Sequence, residues 1–369
     1  MIYLLTFFAV LILVDMADKV EDKKIRWLLL FVSLALLSGV AGVRATSIGS
    51  DVDAYQKPLF KIAKEYTSIF DYLSNRTVRR FEIGYTLITY LASRIGDIHV
   101  LFFINEAIIV FFTFKAIWHY RQYVSVQLST ACFLFVYYLR GYDIVRQSMA
   151  MAALLYMVTL IEEKKYLNAV LIQIIAILLH KSAVVGIGMA FLYFIADSYL
   201  ERVKKYLIII ISIAIYTIST NYRQIFLKLN DVFPGFLNKY LVSKKLFWAS
   251  KEGFYESKFM YIFSAIFILA LALVMKKHIN IYKYYFFLYM MLLAMIGALI
   301  GGQGHYAYRV FLFPEAYSIF VFPNMCKLIS NDGKSQFIGR VMMYAGLLFY
   351  WYFVFVLKNQ GEVYPFVMG

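Results

Sequence analysis

The chain has 369 residues, of which 62% are hydrophobic and only 16% charged, and its formal net charge is +15. A mean hydropathy of +0.70 excludes a soluble globule and predicts an all-α, polytopic helical membrane protein. The positive charge does not require nucleic acid, because lysine and arginine concentrate in short loops between apolar segments, as membrane orientation demands.

A helix that crosses a hydrocarbon core of about 30 Å needs about 17 to 25 residues, and several apolar stretches approach or meet that length. The candidate spans are Trp27–Val43, Leu101–Trp118, Val126–Tyr142, Ile144–Ile161, Tyr166–Leu179, Ala183–Tyr199, Tyr206–Thr220, Phe259–Met275, Tyr284–Ile300, Val310–Met325 and Val341–Leu357. Two shorter runs, Ile2–Val14 and Ile83–Ile95, are doubtful spans. The sequence therefore predicts about 11 to 13 transmembrane helices.

Short basic loops mark the cytoplasmic side of the predicted bundle. From residue 101 onward they alternate consistently with three polar clusters, which are therefore expected at the outer face. The basic loops are His119–Arg121, Lys164–Lys165, Arg202–Lys205, Lys276–Lys277 with Lys283, and Lys327–Arg340. The polar clusters are Asp143–Gln147, His180–Ser182 and His305–Arg309. Because ionisable groups at the edge of a lipid core are costly unless paired or hydrated, their convergence indicates a site for an anionic, membrane-bound substrate.

The alternation of cytoplasmic and outer loops fails upstream of residue 101. Basic residues between Lys19 and Arg26 favour a cytoplasmic first loop, which places Arg44–Arg80 at the outer face. If Ile83–Ile95 then crossed the membrane, Leu101 would begin on the wrong side for the loops that follow it. The preferred repair is that Ile83–Ile95, only about 20 Å long as a helix, is a re-entrant or half-depth helix. The alternative is a cytoplasmic N-terminus with Arg44–Arg80 inside, where the basic residues of that segment would be at home.

We expect one integral membrane domain over residues 1–369, because no soluble domain, repeat or low-complexity linker interrupts the chain. The two longer outer loops are expected at Arg44–Arg80 and Asn221–Ser257. Segment Tyr55–Leu73 has apolar residues at a helical period, which favours a helix along the membrane interface. The first apolar run lacks the features of a cleavable signal, so the N-terminus is expected to be retained. Cys132 and Cys326 lie in or beside predicted spans and are interpreted as core residues.

Arg146 is the first candidate for binding an anion. Asp143 is expected to cap the helix that continues through Met149, which places Arg146 in the first turn, where backbone N–H groups and the helix dipole favour an anion. A guanidinium binds phosphate oxygens bidentately and stays charged when partly desolvated. The small residues that follow Gln147 leave room for a ligand. The alternative is an arginine that snorkels to the interface.

Two further arginines have the same double interpretation. Arg309 ends the glycine-rich stretch Gly297–Gly304 and is flanked by tyrosines including Tyr308, and glycine lets backbone approach a ligand closely. The alternative there is a flexible turn with an interfacial aromatic belt. Arg44 ends the second apolar segment and is either a ligand-binding cation or a snorkelling anchor.

His180 and Glu82 are the candidates for proton transfer. A histidine can act as a base at neutral pH, although a lone histidine at a helix end is more often structural. Lys181 beside it would lower the pKa of the imidazole and keep the ring neutral. Glu82 opens a helix with Tyr85 on the same face, which is also the pattern of an ordinary first-turn acid.

The triplet Asp51-Val52-Asp53 resembles the metal-binding pair of many sugar-nucleotide transferases, but a single such triplet is weak evidence. Asp51 is interpreted instead as a structural or acceptor-contacting residue, with a solvated turn after Gly49 as the alternative. No metal site is expected.

The order of the polar motifs resembles the EpsG-like branch of the Wzy polysaccharide polymerases. The motifs are Arg44, Gly49-Ser50-Asp51 with Tyr55, Glu82-x-Gly84-Tyr85, Arg146-Gln147 with Ala150, His180-x-Ser182-Ala183, and Arg309 before an apolar span. Each motif is short, but together they cover nearly the whole chain. One departure is Asp143, where a neutral residue is expected before the Arg-Gln pair.

The resemblance implies a glycosyltransferase of the membrane-embedded GT-C type that uses no metal or other cofactor. It would act at the outer face of the bacterial inner membrane, in O-antigen, capsule or exopolysaccharide synthesis. It would transfer a glycan chain from undecaprenyl diphosphate to the nonreducing end of another lipid-linked repeat unit. The implied partners are the undecaprenyl-diphosphate-linked oligosaccharide, membrane lipid and a Wzz-type chain-length regulator.

Roles for single residues follow from this resemblance together with the residue chemistry. The catalytic candidates are His180 and Glu82, the diphosphate-binding candidates are Arg146, Arg309 and Arg44, and the substrate-binding candidates are Gln147, Asp51, Tyr55, Tyr85 and Tyr308.

Rival classes share some of these features. An O-antigen ligase-like enzyme has the same donor chemistry and a different acceptor. A flippase or other transporter would place its functional residues near the midplane on broken helices, often in inverted halves, and neither feature is found. A membrane acyltransferase would use a histidine, but no short-spaced histidine–acid pair is present.

Overall fold

The computed structural model describes residues 1–232, 262, 265–266, 283–301, 307–329 and 333–369. The regular elements of this described part are helices, accompanied by an isolated antiparallel bridge between Arg44 and Met368. Three of these helices are long and apolar enough to cross a membrane, judged by length and composition: Lys23–Gly42, Ile98–Gln122 and Gly333–Leu357. Shorter apolar helices accompany them at Tyr166–Leu179 and Tyr284–Leu299. The prediction of a helical, polytopic membrane protein is confirmed.

Two compact units divide the chain, Met1–Gly186 with Arg340–Gly369, and Ile187–Gly339. The helices that begin in the first unit are α1 Ile2–Lys19, α2 Lys23–Gly42, α3 Lys57–Glu65, α4 Ile69–Ser74, α5 Ile83–Ile95, α6 Ile98–His119, α7 Val126–Cys132, α8 Arg140–Asp143, α9 Val145–Glu162, α10 Tyr166–Leu179 and α11 Val185–Asp197. Those that begin in the second unit are α12 Glu201–Val232, α13 Tyr284–Gly301, α14 Leu312–Glu315, α15 Ser318–Ile329 and α16 Gly333–Trp351. Short π-helical segments lie at Val52–Gln56, Phe133–Tyr138 and Tyr352–Leu357. Short 3₁₀-helices lie at Val78–Arg80, Tyr120–Gln122, Lys181–Val184, Ala307–Phe311 and Gln360–Glu362.

Helix α9 is the buried centre of the first unit. Nearly all of its side chains are buried, and it packs against α6 and α10. Ala150 and Ala153 are completely buried and Ser148 is nearly so, so neighbouring helices fill the space beside them. The small residues after Gln147 therefore allow close helix packing, and the room for a ligand that the sequence suggested there is not found.

Helix α5 lies between the end of α2 and the start of α6, two helix ends that lie next to each other. It begins beside Glu82, and at its other end Arg94 donates a hydrogen bond to the Ala63 carbonyl of α3 at 2.5 Å. Helix α6 then begins next to the end of α2, because His99 Nδ1 lies 2.8 Å from the Gly42 carbonyl oxygen. The end of α2 and the start of α6 therefore lie at the same face of the first unit, and the interpretation of α5 as a half-depth element stays a prediction.

The segment between α2 and α5 forms short helices on this face. The helical period predicted for Tyr55–Leu73 is confirmed, with a break at residues 66–68 between α3 and α4. Leu59 and Ala63 of α3 are fully buried, and Phe60 packs with Ala92 of α5 and Leu101 of α6. Apolar packing thus fixes the segment that leads to Glu82.

Hydrogen bonds at the ends of α11, α12 and α13 organise the second unit. The Lys283 ammonium lies 2.8 Å from Asp197 and 2.9 Å from the Tyr193 hydroxyl, and Tyr285 donates to Glu201 at 3.0 Å. The predicted basic positions Arg202–Lys205 and Lys283 therefore share one end of this unit.

The predicted span Val310–Met325 is wrong as one continuous helix. The chain turns at Ala307–Phe311, forms the single turn α14, and resumes as α15 at Ser318. Pro314 contributes to this interruption, since its nitrogen has no hydrogen to donate. Candidate span Phe259–Met275 lies almost entirely outside the described residues, as does much of the predicted loop Asn221–Ser257.

Candidate functional site

Glu82 joins three separate parts of the first unit. Its carboxylate pairs with the Arg146 guanidinium at the start of α9. The same carboxylate accepts a hydrogen bond from the backbone N–H of Lys181, in the turn after α10, at 3.3 Å. Two of the three polar clusters predicted to converge, the Arg146 cluster and the His180 cluster, therefore meet at Glu82, which precedes α5.

Close packing of α5 against α10 makes this meeting possible. A Cβ atom added at Gly84 would lie 2.7 Å from the Leu178 carbonyl oxygen, which is shorter than a side chain tolerates. Glycine therefore lets the first turn of α5 lie against the end of α10. As a result, Glu82 reaches the Lys181 amide.

Aromatic rings surround the Arg146 guanidinium. Its central carbon lies 4.4 Å from the Tyr55 ring centroid, 5.0 Å from that of Phe81 and 6.0 Å from that of Tyr85. Tyr55 and Tyr85 are buried, whereas the Arg146 side chain keeps 20% of its surface exposed and that of Glu82 only 9%. The rings thus support the cation through cation–π attraction and exclude water from one side of the ion pair.

Asp51 fixes the start of α9 from a distant part of the chain. Its carboxylate accepts hydrogen bonds from the Tyr55 hydroxyl and, at 3.1 Å, from the Val145 backbone N–H. The prediction that Asp143 caps this helix is wrong, because Ile144 precedes α9 in a non-helical conformation and Asp143 instead accepts a hydrogen bond from the Ser50 hydroxyl. The first turn of α9, which holds Arg146, is therefore capped by Asp51 from the loop that follows α2.

The two aspartates of the Asp51-x-Asp53 triplet have different partners. Asp53 is exposed and forms an ion pair with Lys57 at 2.6 Å, while Asp51 bonds to Tyr55 and Val145. In the described part of the chain, no group of three or more His, Cys, Asp or Glu side chains could hold a metal ion.

His180 ends α10 with its ring turned back on the following residues. Its Nδ1 atom accepts a hydrogen bond from the Ser182 backbone N–H at 3.3 Å and lies 2.5 Å from the Ser182 hydroxyl oxygen. An acceptor at Nδ1 assigns the hydrogen of the neutral ring to Nε2. In this tautomer the imidazole donates through Nε2.

Electrostatics keep Glu82 ionised and Tyr55 neutral. Burial raises the pKa of the Glu82 carboxyl, but the Arg146 charge, backbone hydrogen bonds and His180 outweigh it and hold the pKa below its usual value. Burial, together with the Asp51 carboxylate, raises the pKa of the Tyr55 phenol well above its usual value. Tyr55 therefore keeps its proton and remains a donor to Asp51.

Arg44 is enclosed within the first unit. It is 1% exposed, and its guanidinium lies between the rings of Phe102 at 4.2 Å and Tyr142 at 3.9 Å. The snorkelling alternative for Arg44 is wrong, since the head group does not reach the surface. The diphosphate-binding role predicted for it stays a prediction.

Sequence reasoning missed a buried polar group on α6. Glu106 is 1% exposed, its Oε1 atom has no hydrogen-bond partner, and it interacts electrostatically with Arg44. Its neighbour Asn105 donates to the Gln56 side chain at 3.4 Å. The available signal was the pair Asn105-Glu106 inside an apolar span, because an ionisable residue within a membrane segment is a functional-site hypothesis by default.

The remaining predicted residues lie in two places. Gln147 is buried in the first turn of α9. Tyr308 and Arg309 lie in the turn Ala307–Phe311 of the second unit, where glycine at position 297 lets Phe311 approach α13 closely. Residues 302–306, which include His305 and Tyr306 of the third polar cluster, lie outside the described residues. The convergence of Arg309 with the Arg146 cluster stays a prediction.

The fold and these contacts define a helical membrane protein with a partly desolvated charged site at one end of its helices. The chain belongs to the EpsG family, whose sequence model matches residues 2–368. No curated protein and no solved structure matches it. Membership confirms the resemblance and indicates a polysaccharide polymerase-like role in a membrane.

Proposed function

We propose that this protein is a polysaccharide polymerase of the bacterial inner membrane. It transfers a glycan chain from undecaprenyl diphosphate to the nonreducing end of another lipid-linked repeat unit at the outer face. The observation that carries this proposal is the contact between Arg146 and Glu82. It brings a cation suited to a diphosphate next to a carboxylate suited to accept a proton, and this transfer requires both.

Arg146 is the donor-binding residue in this proposal. Its planar guanidinium lies in the first turn of α9, where helix geometry favours anions, and its ring environment reduces competition from water. Glu82 holds this cation in the absence of substrate. When the diphosphate binds, it competes with Glu82 for the guanidinium, and the carboxylate loses part of the charge that lowers its pKa.

Glu82 is then the base for the acceptor. The acceptor hydroxyl oxygen forms a bond to the anomeric carbon of the donor sugar while the bond from that carbon to the diphosphate oxygen breaks. The hydroxyl proton passes to Glu82, and undecaprenyl diphosphate leaves with the bonding electron pair. The partial release of Glu82 from Arg146 makes the carboxylate more basic when the donor is in place.

His180 acts as a hydrogen-bond donor in this arrangement. Because its Nδ1 atom accepts from Ser182, the neutral ring carries its hydrogen on Nε2, the atom proposed to donate to the leaving diphosphate. No divalent metal is required in this proposal, and the diphosphate-binding role predicted for Arg309 stays a prediction.

Purified protein incubated with lipid-linked repeat units tests the proposal directly. A ladder of polymer lengths supports the polymerase, whereas redistribution of lipid of unchanged length between leaflets contradicts it and indicates a flippase. The matched variants are Arg146→Ala and Arg121→Ala. Arg121 packs on the Trp118 ring at 4.7 Å and lies near His119, which pairs with Glu163 at the opposite end of α9 from Arg146. Only Arg146→Ala should abolish the ladder.

A further inference from the structure

Residues 359–369, here called the strap, lie along the start of the outer loop, residues 43–49. Three backbone hydrogen bonds join the two segments: Ala45 N–H to Val367 O at 2.7 Å, Gly369 N–H to Val43 O at 3.0 Å, and Gly49 N–H to Glu362 O at 3.1 Å. Around the first two bonds, Arg44 and Met368 form the antiparallel bridge. The strap therefore pairs with the residues on both sides of Arg44, and this pairing reaches Gly49, the residue just before Ser50 and Asp51.

Side-chain contacts anchor the strap to the body of the first unit. Val363 is completely buried, and its carbonyl accepts a hydrogen bond from the Tyr3 hydroxyl at 2.9 Å. The Phe366 ring meets the Tyr3 ring edge-on, with centroids 5.2 Å apart. These contacts tie the strap to α1 at the face where α2 ends.

The strap also touches the residues that precede α9. A Cβ atom added at Gly361 would lie 2.7 Å from the Asp143 Cβ, and Gly361 has φ +75°. Asn359 and Glu362 also have positive φ, which side chains other than glycine rarely adopt. Such conformations persist only where the surroundings dictate them, so docking of the strap determines its backbone.

We infer that the strap is a positioning element that holds the outer loop, and with it Asp51, in register with the start of α9. Ser50 donates to Asp143, which Gly361 faces, and Asp51 accepts from Val145, next to Arg146. Without the strap, the loop loses its backbone partners, Asp51 shifts from the helix end, and Arg146 loses its alignment. This inference rests on the proposed function where activity is the readout.

A designed disulfide tests the docking independently of activity. In the observed register Ala45 lies opposite Val367, and such a pair has Cα atoms about 5.5 Å apart, within disulfide range. The double variant Ala45→Cys/Val367→Cys, made with both native cysteines replaced by alanine, should lose both thiols to mild oxidation, as counted by a mass-tag maleimide after denaturation. Each single variant should keep its one thiol. A double variant that keeps two free thiols after oxidation overturns the inference.

Two further variants test positioning. Ending the chain after Lys358, and the substitution Gly361→Ala, should each lower kcat about 100-fold, the cost of a misplacement of about 1 Å. The control is Gly346→Ala, because a Cβ at Gly346 meets nothing within 4 Å. If the shortened chain does not insert into the membrane, the kcat of Gly361→Ala alone tests whether the strap has a positioning role.

Addition of a synthetic peptide with the sequence of residues 359–369 should restore activity to the shortened chain, which a general loss of stability would not allow. Near-normal kcat in Gly361→Ala, or in an inserted shortened chain, overturns the inference. A disulfide that forms in a protein whose wild type makes no polymer refutes the proposed function and leaves the docking of the strap supported.

Discussion

Replacement of Glu82 by glutamine separates the two roles that the structure combines in one ion pair. The amide keeps the size and one acceptor oxygen for the Lys181 N–H but removes the negative charge beside Arg146. Because the Glu82 side chain is 9% exposed and that of Arg146 is 20% exposed, solvent screens this pair only partly. Loss of a charge-assisted hydrogen bond here costs about 1.5 to 3 kcal/mol of folding free energy.

Binding and catalysis should respond in opposite directions. Without its carboxylate competitor, Arg146 is available to the diphosphate, so Glu82→Gln should bind the lipid-linked donor at least as tightly as the wild type. The loss of a general base should lower kcat by about 10² to 10⁴-fold. A residue with a purely structural role would weaken binding and turnover together.

The assay is polymerisation by purified protein in lipid nanodiscs, with donor binding measured separately by titration. Thermal unfolding of the same preparations provides the control for folding. Turnover within threefold of wild type, or a parallel loss of donor affinity, would refute the assignment of Glu82 as the base.

Four further outcomes follow from the same contacts. Arg146→Lys keeps the positive charge, but its activity should be little higher than that of Arg146→Ala, since lysine lacks the planar fork for bidentate phosphate binding. Activity of Arg146→Lys equal to that of the wild type would contradict this. A cysteine at Ser182 should react with an impermeant thiol reagent in intact spheroplasts and one at Glu163 should not, because α9 separates the two faces by about 27 Å; labelling at Glu163 before lysis would overturn the topology. Full activity in excess EDTA is expected, whereas loss with recovery on addition of Mn²⁺ would point to Asp51 and Asp53 as ligands. Because the folded protein holds the pKa of Glu82 below its usual value, the ionised carboxylate should stabilise the fold above about pH 4.3. This stabilisation should disappear as the pH falls through the lowered pKa of the folded state. The difference in unfolding free energy between wild type and Glu82→Gln should therefore shrink only in acid.

Local patterns in the sequence predicted the helices of the first unit well. The bounds of α5 and α10 were predicted to the residue, because charged residues or glycine end their apolar runs abruptly. The half-depth interpretation of α5 rests on the alternation of the loops as well as on its length, and it stays a prediction. These features depend on neighbouring residues, which is the information that periodicity carries.

The cap of α9 was not predictable in that way. Asp143 lies one residue before Ile144, which occupies the capping position, and the acceptor for the Val145 N–H is Asp51, which reaches the helix from the loop after α2. The burial of Arg44 between Phe102 and Tyr142 is equally nonlocal. The strap was not assigned at all, because a short segment without an apolar period gives no signal until its partner segment is known.

The competition between Glu82 and a diphosphate also has a consequence for rate. Because Glu82 already neutralises Arg146, the bound donor gains only the difference between the attraction of its phosphates and that of the carboxylate, so ground-state binding is weakened. As the bond to the sugar breaks, negative charge grows on the leaving oxygen, while Glu82 becomes neutral by accepting the acceptor proton. Arg146 then loses its internal partner at the moment when the leaving group needs it most. The attraction of Arg146 is thus expressed mainly in the transition state, where it accelerates the transfer.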